Sequence, residues 1–103
     1  MRLKVKAGVR PRSFVLIAAV VNAALELGIA HDVTITSGTD GRHMAGSKHY
    51  SGEAIDVRSQ NFPSLAAKRA FLRAVQQRLG PGYDCLLERV GTPHEHFHLE
   101  RDV

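Results

Sequence analysis

The stretch Ser47 to Val57, Ser-Lys-His-Tyr-Ser-Gly-Glu-Ala-Ile-Asp-Val, constrains this chain more than any other. It places His49 seven residues before Asp56, with Ser51-Gly52 between them as a turn signal. After the turn, Glu53 to Val57 reads as a short strand, so side chains alternate. Ile55 and Val57 share the face that enters a core, and Ala54 and Asp56 share the other. A loop histidine and a strand carboxylate are thereby brought to one mouth. One nitrogen and one oxygen donor make half of a zinc site. The run His94-Glu95-His96-Phe97-His98 offers the other half.

The remaining elements follow from periodicity. A chain of 103 residues predicts one domain over 1–103 that buries roughly 65% of its unfolded surface. Leu3, Val5 and Ala7 alternate with Lys4 and Lys6, which suggests an edge strand or extended arm. Ser13 is placed to cap a helix running to about Leu27, and Gly28 to stop it. Val33 to Thr36 is β-branched and reads as a strand. Ser37 to Lys48 is a polar loop with Gly38, Gly41 and Gly46. Pro63 and Ser64 open a second helix, about Leu65 to Leu79. Phe71, Val75 and Leu79 form its buried stripe, and Lys68, Arg69, Arg73 and Arg78 its solvated side. Gly80-Pro81-Gly82 ends it. Tyr83 to Glu88 and His96 to Glu100 are strands joined through Gly91, Thr92 and Pro93. His96, His98 and Glu100 share one face of the last strand; Phe97 and Leu99 share the other. The expected class is α+β: a small, mainly antiparallel sheet with two packed helices.

Composition narrows the partners. The single cysteine, Cys85, excludes an internal disulfide, and its apolar neighbours make it a core residue rather than a nucleophile. A formal net charge of +4 favours anionic partners such as nucleic acid or bacterial cell wall. The basic residues are scattered, and no basic helix interleaved with aromatics is found, so no specific nucleic-acid partner is expected. Phe14 to Leu27 is too short for a membrane span and contains Asn22 and Glu26. Its helical spacing, with no clear cleavage site before His31, reads as a core helix and not as a signal peptide. Localisation is left open: synthesis is expected in the cytoplasm, and any export would need another route. Nothing in the sequence sets the oligomeric state.

The chemistry follows from this layout. A catalytic zinc uses three protein donors and keeps a fourth position open. His49, Asp56 and His98 supply three. Glu95 then stands free as a carboxylate that can take a proton from water attacking a carbonyl. In a regular strand Glu95 and His98 would face opposite ways, so Glu95 must sit on the turn before the strand. A His-x-His pair alone is weak evidence for metal; joined to His-x6-Asp after a glycine-rich loop, it is far more specific.

Together, Ile35-Thr36-Ser37-Gly38, Ser47-x-His49-x-x-Gly52-x-Ala54-x-Asp56 and Glu95-His96 with His98 resemble the D-alanyl-D-alanine carboxypeptidase family of zinc peptidases. That family shares its fold with lysostaphin-type peptidases and the hedgehog signalling domain. The resemblance spans roughly 33–57 and 93–100. It implies a hedgehog/DD-peptidase-like fold and a Zn2+ held by His49, Asp56 and His98, with Glu95 as catalytic base. It also implies that His96 steadies the developing oxyanion and that Ser47 lies near the substrate, or else caps its loop. Many members carry Ser-Gly-Tyr-Arg, whose arginine grips the substrate. Here the segment is Ser37-Gly38-Thr39-Asp40-Gly41-Arg42-His43. Arg42 does that work from a shifted place or is a solvated loop residue, and His43 is the alternative substrate contact. The implied activity is hydrolysis of peptidoglycan stem-peptide bonds involving a D-amino acid. It would be of D-Ala-D-Ala carboxypeptidase or L-Ala-D-Glu endopeptidase type, as in wall-remodelling enzymes and phage endolysins. A non-catalytic zinc module of the same fold and a basic nucleic-acid-binding protein are the alternatives.

Overall fold

A computed structural model describes residues 1–6, 8–37 and 52–102. In chain order its elements are β1 (Leu3–Val5), α1 (Ser13–Glu26), β2 (Val33–Ser37), β3 (Ala54–Arg58), α2 (Leu65–Leu79), β4 (Tyr83–Glu88) and β5 (His96–Arg101). The described strands form one sheet in the order β1-β2-β3-β5-β4. Only β1 and β2 run parallel; the β2–β3, β3–β5 and β5–β4 pairs are antiparallel. The expected α+β class and both helices are therefore present, and the amino-terminal segment is a true edge strand.

Alternation decides which face of the sheet the helices cover. Val33 and Ile35 on β2, Ile55 and Val57 on β3, and Phe97 and Leu99 on β5 are fully buried. They pack with Leu16, Val20, Ala23 and Ala24 of α1 and Phe71 and Val75 of α2. Phe62, Phe71 and Phe97 meet pairwise with ring centroids 5.1 Å apart, in tilted and edge-on contacts that aromatic quadrupoles favour. This cluster fixes β5 from beneath, so the side chains pointing the other way from β5 have a rigid base.

The helix ends differ in how they are closed. Ser13 was expected as a cap, but Arg12 holds that position and no side chain caps the helix. Ser13 is the first helical residue, fully buried, and its Oγ donates to the Gly52 carbonyl at 2.9 Å. That bond satisfies a buried acceptor from a distant turn, which outweighs a local cap. Gly52 itself has φ +82, and a Cβ there would lie 2.8 Å from Arg10 Cβ, so the turn before β3 admits only glycine. At the other end of α1, the N–H of Gly28 (φ +64) donates to Leu25 O and that of Ile29 to Ala24 O. This is the paired closure of a left-handed glycine stop. Ser64 caps α2 as expected, accepting from the Ala67 N–H at 3.1 Å.

Two further expectations meet the structure. Cys85 is half-buried against the core, and burial pushes its thiol up to about 11, which leaves it a poor nucleophile. Lys68, expected on the solvated side of α2, has a side chain only 16% exposed, and it pairs with Glu95. Among the described residues, no helix is long and apolar enough to cross a membrane.

Candidate metal centre

The site arises from strand register. Asp56 on β3 stands opposite His98 on β5, and Arg58 stands opposite His96. On the far side of β5, Leu86 stands opposite His98 and Glu88 opposite His96. Since Phe97 and Leu99 point into the core, His96 and His98 must point away from it. Asp56, His96 and His98, all half-buried, each offer one ligand atom within 4.8 Å of the others.

The hydrogen bonds give each group a role. His98 Nδ1–H donates to Asp56 Oδ1 and Nε2–H to Glu100 Oε1, both at 2.8 Å. An imidazole with an anion at each nitrogen carries two protons, and the Asp56 hydrogen bond above all pushes His98 up to about 9 against the opposing effect of burial. His96 is held differently. Its Nδ1–H donates to the His94 carbonyl at 2.8 Å. Nε2 faces the cluster, where it hydrogen-bonds Glu88 Oε1 at 3.2 Å and lies 3.9 Å from Asp56 Oδ1. Glu88 Oε1 also lies 3.9 Å from His98 Nδ1. Asp56, Glu88 and Glu100 thus set three carboxylates around two imidazoles, an acidic spot on a chain of formal charge +4.

These residues suit a cation. One carboxylate oxygen and two imidazole nitrogens are a donor set for a borderline-soft divalent ion. Glu100 and the His94 carbonyl orient the two rings from their outer nitrogens, as partners of metal-bound histidines do. The cluster is a possible metal-binding site with donors Asp56, His96 and His98.

Of the residues expected at the site, the structure brings Asp56, His96 and His98 together. His49, Ser47, Arg42 and His43 lie outside the described residues. Glu95 sits on the turn before β5, as expected, but its carboxylate turns into the protein. Oε1 accepts from Ser59 Oγ at 2.8 Å and from Lys68 Nζ, and Oε2 accepts from the Gly91 N–H at 2.9 Å. The Gly91 N–H and then Lys68 hold this carboxyl down to about 2. A carboxylate so engaged is a weak proton acceptor in this arrangement.

Besides Asp56, two carboxylates touch the histidines: Glu88, which sequence reasoning passed over, and Glu100, which it placed on the face of His96 and His98 without giving it a role. Glu100 was legible from its two-residue spacing to His98. Glu88 was not: only the β4–β5 register puts it beside His96. No protein-family model, curated protein or solved structure matches the chain.

Proposed function

We propose that the protein is a zinc-dependent peptidase of the D-alanyl-D-alanine carboxypeptidase type, with the hedgehog/DD-peptidase fold, acting on peptidoglycan stem peptides. The observation that carries this reading is the cross-strand pair Asp56–His98 with His96 beside it. It joins the Ser-x-His-x-x-Gly-x-Ala-x-Asp string to the terminal His-x-His. Asp56 and His98 are the metal donors this reading takes from the sequence pattern, and their cross-strand pairing supports it. His96 completes the described set, and His49 is the further nitrogen the pattern supplies. Zinc at such a site polarises a carbonyl and acidifies water.

Glu88 is the better-supported proton acceptor. It reaches both histidines, its side chain is 43% exposed, and among the described residues it makes no ion pair with lysine or arginine. Glu95 lacks that freedom. Ser47, Arg42 and His43 remain the proposed substrate contacts, since a peptide needs groups beyond the metal to orient its scissile bond.

The second reading, a non-catalytic zinc module, rests on the donor count. Three donors leave a position open, whereas Asp56, His98, His96 and His49 together would close it, as in structural sites. The deciding experiment is incubation of zinc-loaded protein with purified muropeptides, with products read by mass spectrometry. Release of D-alanine or cleavage after the first stem residue supports the peptidase; an unchanged muropeptide profile with zinc bound supports the closed module.

A further inference from the structure

The loop between β4 and β5 is tied together internally. Thr92 N–H and Oγ1–H both donate to the Arg89 carbonyl, His94 N–H donates to Thr92 Oγ1, and Glu95 N–H donates to the Thr92 carbonyl. Arg89, with φ +53, holds a left-handed conformation that a non-glycine residue adopts only under constraint. The loop also emits the His94 carbonyl that accepts from His96 Nδ1–H. Whatever fixes the loop therefore fixes which nitrogen of His96 faces Asp56.

Among the described residues, two groups fasten the loop to the rest of the protein. Gln60 donates to the Pro93 carbonyl at 2.9 Å, from an exposed position. Glu95 does so from inside: its carboxylate gathers Ser59, just after β3, Lys68 from α2 and the Gly91 N–H of the loop itself. Removing Lys68 alone would leave a buried carboxylate short of its cation, a costly state that favours rearrangement. The residue directly after Glu95 is His96.

We infer that Glu95, Lys68 and Ser59 are positioning residues: their buried ion pair fixes the β4–β5 loop so that His96 presents Nε2 to the metal cluster. This rests on the metal reading of that cluster, and it gives Glu95 a task other than proton transfer. Such outer partners typically contribute 10–100-fold in metal affinity.

The test uses Lys68→Met and Lys68→Arg in the full chain. Nitrogen-15 shifts of the His96 ring in metal-free protein, at a pH where the ring is neutral, report which nitrogen carries the proton. Zn2+ affinity is measured by chelator competition. Lys68→Met is expected to lose the Nδ1–H form of His96 and to weaken Zn2+ binding about tenfold or more; Lys68→Arg, which keeps the cation, is expected to retain both. An unchanged His96 tautomer in Lys68→Met would overturn the inference, as would a changed tautomer with unchanged Zn2+ affinity. Should Lys68→Met fail to fold, Ser59→Ala removes one bond to the same carboxylate and is expected to shift both readouts in the same direction. A wild-type chain that binds no Zn2+ but keeps the Nδ1–H tautomer would count against the metal reading, and so against the inference's metal limb, while leaving the loop geometry upheld.

Discussion

Asp56 Oδ1 and His98 Nδ1 stand 2.8 Å apart on directly opposed positions of β3 and β5. In the metal-free protein a proton lies between them, and a metal ion would take its place. Raised from 6.5 to about 9, chiefly by Asp56, His98 binds its proton more tightly folded than unfolded. Its contribution to stability is therefore complete below about pH 6.5 and lost as pH rises through about 9. Urea unfolding of the metal-free chain should show stability falling across that window, and Asp56→Asn should flatten the fall. Zn2+ affinity should move the other way, rising with pH up to about 9. A Zn2+ affinity indifferent to pH between 6.5 and 9 would argue that His98 is not a donor.

One zinc per chain is expected in protein purified without chelator, measured by elemental analysis. His98→Ala should abolish stoichiometric binding. Because the proposed donors come from β3 and β5, metal would bind the folded state alone. At a free zinc concentration 100 times Kd, it should add about 2.7 kcal/mol. For a chain of this size that is a rise in Tm of roughly 10–20 °C over the chelated protein. Superimposable melting curves with and without zinc would contradict the site.

Glu88→Gln keeps the shape of the side chain but removes proton acceptance at neutral pH. Turnover of a stem-peptide substrate is expected to fall by about 10²–10⁴-fold with zinc content unchanged. Glu95→Gln should instead weaken metal binding along with activity. If Glu95→Gln loses turnover at full zinc occupancy while Glu88→Gln is active, the assignment of the two carboxylates is reversed.

Gly52→Ala tests the packing of the β3 turn on α1. The left-handed backbone and the approach to Arg10 Cβ should together destabilise the chain by at least about 1 kcal/mol. Denaturant titration measures this directly, and a variant as stable as the wild type would mean that the turn relaxes freely.

Much of this architecture was legible because it is written in short-range periodicity. The alternation of Phe97 and Leu99 with His96 and His98 fixed both the strand and the side on which the histidines stand. The spacing of Phe71 and Val75 gave the buried face of α2. What was hidden depends on partners remote in sequence. Lys68 falls on the polar side of its helix, and nothing local reveals a buried carboxylate 27 residues away. Ser13 resembles a cap until the Gly52 carbonyl is brought to it. Glu88 belongs to the cluster only through its register with His96. Glu95, three residues before His98, has the spacing of a base, yet spacing does not say which way a turn residue points.

β3 and β5 lie inside the sheet, each flanked by a strand on both sides. Their ladders therefore open only when the sheet itself comes apart. Backbone amides at these positions should exchange with solvent deuterium through global rather than local opening. Asp56 and His98 would then keep their backbone spacing through local openings, so a cation arriving at the cluster would find its backbone framework assembled in advance.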